Sequence, residues 1–488
     1  MQALNRFLLF AGAALAATAT LVDPSWAQEA PAAAAGAITA PELTVNKGDN
    51  TWMLMSTVIV LLMTIPGLAL FYGGMVRSKN MLSLLTQVMA IQCIALIVWF
   101  CWGYSIAFTT GPEGFDQYFG GLSKAFLANV AIGAKVETFS VGVAIHELIF
   151  ICFQATFCAI TTALAIGAFA ERVKFSAIVA FAILWPTVVY APLVHMVWFW
   201  PGPSAIATAP DAPVASGLIW GFGALDFAGG TVVHINAGIA GLVGALLLGR
   251  RIGYGKEPMP PHSLTLTMVG AALLWVGWFG FNGGSNLEAN EYAGLAMANT
   301  FIATAGAGVS WMLIEWLFKG KPSLLGLVSG VVAGLVAVTP ASGFAGPMGA
   351  LVLGLLAGVV CFFFCTAVKS ALGYDDTLDV FGIHAVAGIL GAILTGILVD
   401  PALGGAGVVD YTSCAKDGDI TTCDTAAYDM MTQLIAQTKA VLVAIAWSAI
   451  GSLAVYIVIA VIFGLRVSEE KEREGLDISE HGERAYNM

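Results

Sequence analysis

The chain has little charge for its length. Asp, Glu, Lys and Arg account for 10% of its 488 residues, whereas apolar residues account for 58%, and the mean hydropathy is +0.85. Soluble domains carry about 25% charged residues. This composition excludes a soluble enzyme with a membrane anchor and indicates a polytopic membrane protein. Most of the net charge of −11 lies in loops and tails, so it says little about partners.

The sequence also lacks catalytic and cofactor motifs. It shows no nucleophile–base arrangement, phosphate-binding loop or cofactor signature. Six of the eight cysteines fall within apolar runs, and the pair Cys361 and Cys365 has no further ligands to complete a metal site. No apolar run carries several acidic side chains or the carbonyl-rich filter of a metal-cation path. We therefore predict that the chain is not an enzyme, holds no cofactor or metal, and binds no nucleic acid.

The first 27 residues have the pattern of a signal peptide. Arg6 supplies a charged start, residues 7–21 are apolar, and Ser25-Trp26-Ala27 offers a small-residue cleavage site. The alternative is an uncleaved first helix, but the apolar run is short for a membrane span. Residues 28–47 form an Ala- and Pro-rich segment that we interpret as an outer tail.

The remaining sequence consists mainly of apolar runs near the ~20 residues that a bilayer span requires. We count eleven, and predict an all-α integral membrane protein with a membrane domain at 48–466 and a tail at 467–488. The predicted spans are about 52–73, 84–108, 145–169, 175–197, 229–249, 264–283, 294–317, 323–339, 346–369, 380–399 and 437–465.

The distribution of basic residues predicts the orientation. If the mature N-terminus lies outside, fourteen of the twenty Lys and Arg residues fall in inner loops and the C-terminal tail, and five fall in outer segments. The last one, Arg6, lies in the signal peptide. The positive-inside rule favours this arrangement, which places the C-terminus in the cytoplasm.

Two histidines lie inside membrane-length apolar runs and begin nearly the same motif. His234 and His384 each start the pattern H-x-x-A-G-I-x-G, and Asp226 and Asp379 lie a few residues before them. An ionisable group within a span is costly, so it indicates function. The motifs fall in predicted spans five and ten. We therefore predict an inverted repeat with halves of five spans each, about 52–249 and 264–399, followed by one additional helix.

Each of these polar residues also has a structural interpretation. A histidine in the core can simply donate to a carbonyl, although two matched copies are harder to explain in this way. Asp226 and Asp379 can cap helix N-termini, which carboxylates do well. We predict a structural cap for Asp379, and a cap together with a role in shaping the site for Asp226. Two neutral imidazoles suit a small polar solute or a proton relay better than a bare ion.

Two further cysteines lie in the last predicted outer loop. Cys414 and Cys423 are on the side where disulfides persist. We predict a disulfide that closes the loop, and the alternative is two free thiols.

Several long motifs resemble those of the ammonium transporter (Amt/Mep/Rh) family, and the bacterial AmtB type in particular. The resemblance covers about residues 48–487. It is carried by Phe-Tyr-Gly-Gly-Met-Val-Arg (71–77), Ala-Glu-Arg-Val-Lys-Phe-Ser-Ala (170–177), Asp-Phe-Ala-Gly-Gly-Thr-Val-Val-His (226–234), Trp-Phe-Gly-Phe-Asn-Gly-Gly-Ser (278–285) and Asp-Asp-Thr-Leu-Asp-Val-Phe-Gly-Ile-His (375–384).

The resemblance implies a role for each matching residue. Phe157 and Phe281 match the stacked rings that gate the pore, and His234 and His384 match the twin histidines that line it. Trp198, Ser285, Asp226 and Phe157 match the outer site that recruits ammonium. The segment between Trp198 and Asp226 is longer than in compact bacterial members, which leaves Trp200 and Trp220 as alternatives to Trp198.

The resemblance also implies a function. We expect a homotrimer in the bacterial cytoplasmic membrane that takes up ammonium, conducts ammonia past the histidines with net transfer of the proton, and is regulated by a PII-type (GlnK-like) signal protein at its cytoplasmic face. Membrane lipids are the other expected partners. The alternatives are an ammonium sensor that acts mainly through PII-protein docking, and a Rh-like channel that conducts ammonia without current.

Overall fold

The computed structural model describes residues 41–212, 214–417 and 420–486. The predicted signal peptide and residues 28–40 of the predicted outer tail lie outside these ranges. Within them the protein is mostly helical, and eleven apolar helices follow the order of the predicted spans. They are α1 (Lys47–Met75), α2 (Ser78–Phe108), α3 (Glu147–Phe169), α4 (175–198), α5 (Gly230–Leu248), α6 (Leu264–Gly284), α7 (Glu291–Lys319), α8 (Leu324–Val338), α9 (Pro347–Leu372), α10 (Phe381–Leu398) and α11 (Met430–Ile462).

Ten of the helices in the described ranges are long and apolar enough to cross a membrane, and α8 is shorter. At 15 residues, α8 spans about 22 Å at 1.5 Å per residue, against a hydrocarbon core of about 30 Å. A count of eleven full spans therefore remains a prediction. Two short helices form the C-terminal tail, α12 (Glu469–Glu474) and α13 (Leu476–His481).

Short strands in the loops depart from the all-α prediction. β1 (Thr44–Val45) pairs in parallel with β3 (Val143–His146), and β2 (Lys135–Glu137) pairs antiparallel with β3. β4 (Ala415–Asp417) and β5 (Ile420–Thr422) form a hairpin. These strands lie in loops between spans or next to α1, where the hydropathy of the sequence carries no pairing signal.

The hairpin lies within a disulfide-closed loop. Cys414 and Cys423 are bonded, nine residues apart. The bond brackets β4 and β5 and so closes the loop that contains them.

Helices α3 and α5 occupy the centre of the bundle. In the most apolar part of α3, 89% of the residues are buried within the chain, and the value for α5 is 83%. For α9 and α11 it is only 33%, so much of their apolar surface faces outward, where lipid or another subunit can cover it. Helices α3 and α5 are therefore the helices most enclosed by the rest of the chain in the described ranges.

A buried ionic cluster joins the loops on the face that carries the tail. Glu171 accepts hydrogen bonds from Arg77 and Arg251, and Arg251 also pairs with Asp375. Burial raises the pKa of the Glu171 carboxyl, but Arg251 and Arg77 more than offset this, so the pKa lies below its ordinary value. The cluster connects the loops after α1, α3, α5 and α9, and thus ties the two halves of the bundle together.

Candidate functional site

The two motif histidines meet where α5 crosses α10. Gly238 and Gly388 each lie four residues after a motif histidine. A Cβ at Gly238 would stand 2.4 Å from the backbone nitrogen of Ala385, and one at Gly388 would stand 3.1 Å from the Gly230 carbonyl oxygen. Only glycine lets the two backbones approach so closely. The glycine of the H-x-x-A-G motif therefore brings the histidines together.

Helices α5 and α10 each begin with one π-helical turn that a carboxylate caps. The Asp226 carboxylate accepts hydrogen bonds from the backbone nitrogens of Gly229 (2.9 Å), Gly230 (2.6 Å) and Thr231 (2.8 Å). The Thr231 hydroxyl donates to it as well. Charge-assisted bonds of this kind satisfy the free N–H groups at a helix start. Asp226 is thus the cap of α5, as predicted.

The matching cap of α10 is Asp376, and the prediction of Asp379 was wrong. Asp376 accepts from the backbone nitrogens of Val380 (3.1 Å) and Phe381 (2.8 Å). It precedes His384 by eight residues, as Asp226 precedes His234. Asp379 has a left-handed backbone, with φ 57°, and its carboxylate pairs with Lys369 at 2.7 Å. Its carboxylate is therefore directed to Lys369, and among the described residues it accepts no hydrogen bond from a backbone N–H group of the first turn.

The imidazoles of His234 and His384 contact each other directly. Their Nδ1 atoms lie 3.3 Å apart, so one must donate and the other accept. The His234 ring also stacks at 5.4 Å on Trp278, whose Nε1 donates to the Thr339 hydroxyl at 2.9 Å. His234 Nε2 is buried without a hydrogen-bond partner among the described residues, and is therefore available to a solute.

Two phenylalanine rings stack on each other beside the histidines. The centroids of Phe157 and Phe281 lie 4.0 Å apart with 18° between the ring planes. Both residues are buried, and the Phe281 centroid is 6.0 Å from that of His234. The stack leaves no opening between the rings, so a solute can pass only if a ring moves.

Trp198 lies on the far side of the stack from the histidines. Its ring meets Phe157 edge to face at 6.0 Å, and its Nε1 donates to the Asp226 carbonyl at 2.9 Å. Ser285 is one turn after Phe281 and donates to that residue's carbonyl at 2.8 Å. Trp198 and Ser285 therefore each contact one residue of the ring stack, Trp198 through Phe157 and Ser285 through Phe281.

The alternative tryptophans belong to a separate aromatic cluster. Trp200 stacks on Trp220 and on Phe139, and its ring lies 5.6 Å from that of Tyr411. These rings come from three different loops. No contact with Phe157 is found for them within the described residues, whereas Trp198 contacts that ring.

A narrow apolar cavity lies on the other side of the stack, around the histidines. Apart from the two imidazoles its lining is hydrophobic, so a neutral solute is favoured there over an ion. The lining residues are Met63, Leu68, Phe71, Ile160, Leu164, Val233, His234, Leu274, Trp278, Phe281, Val332 and His384.

Comparison with known proteins assigns the family. The model of the Ammonium Transporter Family matches residues 51–486. The chain belongs to the ammonium transporter family. It is 43% identical over 449 residues to an ammonium transporter of Aquifex aeolicus, covering 92% of this chain and 96% of that protein. For an ammonium transporter of Bacillus subtilis the identity is 39%, covering 91% and 99%.

Solved structures agree with this assignment. Saccharomyces cerevisiae Mep2 superposes with a TM-score of 0.73 at 31% identity, covering 88% of this chain and 89% of that one. A structure described as a sensor Amt protein gives a TM-score of 0.75 at 26% identity, covering 89% and 98%. The chain is thus a multi-pass membrane protein of a transport family.

Sequence reasoning missed three features of the transporter's site. Asp376 could have been found from the equal spacing to the two histidines. Gly238 and Gly388 were visible as part of the motif, but their role depends on the crossing of the helices. Trp278 was visible as the first residue of the 278–285 motif, but its stacking on His234 depends on how the helices pack.

Proposed function

We propose that this transporter carries ammonium inward across the cytoplasmic membrane, with its N-terminus outside. The observation that carries the proposal is one continuous line of residues: Trp198, then the ring stack, then the histidine pair in an apolar cavity. Family membership supplies the solute, and the line of residues supplies a route for it.

Recruitment depends on an aromatic face with little competing water. Trp198 and Phe157 offer ring surfaces to a cation, and Ser285 offers hydroxyl lone pairs. Both oxygens of the Asp226 carboxylate are already engaged by Gly229–Thr231. The Asp226 carboxylate would therefore contribute its charge rather than bind the cation directly. The backbone carbonyl of Asp226 would hold the Trp198 ring in place.

The dry cavity favours separation of the proton from ammonia. Moving an intact cation through an apolar span costs several to more than 10 kcal/mol. Deprotonation of a cation with a pKa of about 9–10 costs roughly 3–4 kcal/mol at pH 7. Ammonia would then pass the histidines as a neutral solute. We further propose that His234 and His384 relay the proton, which makes net transport electrogenic.

The tail offers a surface for regulation by a PII-type protein. It is held against the bundle at several points, since Leu476 donates to Asn80 at 2.9 Å and Asp477 accepts from Ser83 at 2.8 Å. The docked tail and the inner loops thus form one face. We propose that this face binds the signal protein, in a homotrimer with one pore per subunit.

Current recording on proteoliposomes tests the central proposal. An ammonium pulse should give a current, and replacing His234 and His384 together with leucine should abolish it. Replacing His262 and His481 with glutamine provides the matched control, because both lie on the tail face outside the pore, and the current should persist. Full current in the double leucine variant would refute the proton relay.

Two outcomes would favour other functions. Uptake of methylammonium without current would indicate an electroneutral ammonia channel. Binding of a PII-type protein without any flux would indicate a sensor, a function that the similarity to a sensor Amt protein supports.

A further inference from the structure

A second cavity lies at the surface between the start of α4 and the C-terminal tail. It has a volume of about 620 Å3 and is open to solvent. We call it the Lys174 cleft. Three basic side chains, two hydroxyls and one carboxylate line it: Lys174, Ser176, Arg466, Ser468, Lys471 and Glu480. None of these residues takes part in the proposed transport path.

The charges in the cleft do not cancel. Arg466 pairs with Glu472 at 2.8 Å, and Lys471 pairs with Glu480 at 2.8 Å. Lys174 forms no ion pair among the described residues, and its ammonium donates only to the Phe463 carbonyl at 3.0 Å. An ammonium has three donors, so two remain. The cleft therefore holds one uncompensated positive charge with free donors.

The two serines add neutral donors beside this charge. Ser176 is exposed in the first turn of α4. The Ser468 oxygen accepts from the backbone nitrogen of Lys471 at 3.4 Å, which leaves its own hydrogen free. Ammonium and hydroxyl donors converging on one space suit an anion with several acceptor oxygens. A phosphate group fits this description.

The cleft adjoins the lipid-facing end of the last span. Val461, Ile462 and Phe463, the final residues of α11 and its cap, are 82%, 63% and 46% exposed. Lys174 donates to the carbonyl of the last of these, so its charge sits where the apolar surface ends. Basic side chains commonly take this position at membrane interfaces. A phospholipid would satisfy both surfaces, whereas free phosphate would satisfy only the polar one.

We propose that the Lys174 cleft binds a phosphate group at the membrane boundary of the tail face. Binding there would also join the tail to α4, because Ser468 and Lys471 belong to the tail and Lys174 and Ser176 to the start of α4. The site is independent of the ammonium path.

Native mass spectrometry of the purified full-length protein tests this. Phosphatidylglycerol, diacylglycerol and inorganic phosphate are titrated separately. Phosphatidylglycerol should bind, and Lys174→Gln should weaken its binding about tenfold, the effect of losing one charge-assisted hydrogen bond. Lys256→Gln is the matched control, since Lys256 is exposed on the same face but outside the cleft. The Lys256→Gln variant should bind phosphatidylglycerol as tightly as the unmodified protein does.

A second variant tests the same site in case Lys174→Gln impairs folding. Ser176→Asp adds a negative charge to the cleft and leaves the hydrogen bond from Lys174 to Phe463 in place, and aspartate is well tolerated in a first helical turn. It should weaken phosphatidylglycerol binding by a similar factor.

The three ligands separate the outcomes. Binding of inorganic phosphate with the same dependence on Lys174 would support the phosphate site and identify a soluble source. Diacylglycerol binding as tight as that of phosphatidylglycerol would overturn the proposal. So would phosphatidylglycerol binding that neither variant changes.

Discussion

The cap of the second pore helix gives the sharpest test of the site's construction. In Asp376→Asn, the amide oxygen can accept from only one of the two backbone nitrogens, those of Val380 and Phe381. The other nitrogen loses a charge-assisted hydrogen bond, which should lower the free energy of unfolding by about 1.5–3 kcal/mol. Because these nitrogens belong to the turn that carries His384, we expect the imidazole to shift as well.

Asp379→Asn is the matched control. The Asp379 side chain is 36% exposed and pairs with Lys369, whose ammonium also donates to the Asp376 backbone carbonyl and so keeps a partner in this variant. Asparagine tolerates the left-handed backbone at this position. The substitution should therefore leave both stability and current nearly unchanged.

Thermal inactivation in detergent provides the assay, because many membrane proteins unfold irreversibly and a rate is then the proper measure. The difference of about 1.5–3 kcal/mol corresponds to roughly 10- to 150-fold in an equilibrium constant. The half-life at a fixed temperature should be clearly shorter for Asp376→Asn than for Asp379→Asn. The ammonium current per folded protein should also fall only in the former. An equal or larger effect of Asp379→Asn would refute the assignment of the cap.

Three further outcomes are expected. Trp198→Ala should raise the ammonium concentration for half-maximal current several-fold, whereas Trp200→Ala should leave it unchanged, and equal effects would contradict the choice between them. The pKa of Glu171 is lowered in the folded protein, so its contribution to stability is present above about pH 4.5 and is lost as the pH falls through the lowered value. A melting series against pH should show this loss, and Glu171→Gln should remove it. Replacing Cys414 and Cys423 with serine should lower the stability of the outer loop by about 2–3 kcal/mol, the loop-closure value for nine residues, measurable as faster proteolysis there. An unchanged cleavage rate would contradict this.

The membrane-spanning framework could be predicted from the sequence because its signal is local. Apolar length and the positions of charges depend on consecutive residues, and so do the two histidine motifs. The pairing of His234 with His384 followed from their equivalent positions in the two halves. The short length of α8 (Leu324–Val338) also has a local signal, since the matching predicted span, 323–339, is the shortest of the eleven.

The prediction of Asp379 as a cap was wrong because it compared the residues next to each Asp. It did not compare the number of residues between each Asp and the motif histidine that follows. Leu225-Asp226 and Leu378-Asp379 look alike, but it is Asp376 that matches Asp226 in standing eight residues before its motif histidine. The Asp376 carboxylate accepts from the backbone nitrogens of Val380 and Phe381. Contacts between loops, such as those of Trp200, depend on tertiary structure alone and leave no pattern in the sequence.

The hydrogen bond between the two imidazoles breaks the symmetry that the repeat creates. A single hydrogen lies between His234 Nδ1 and His384 Nδ1, so one ring presents a bare Nε2 to the pore and the other presents an N–H. The pair therefore has two states of opposite polarity. If a proton enters at the bare nitrogen and another leaves from the far ring, the polarity reverses. The next proton in the same direction would find the entrance blocked until the pair is restored. On the proposed relay, the pair therefore retains the direction of the last proton transfer, and we expect the restoring step, rather than passage of ammonia, to limit the rate of net charge transfer.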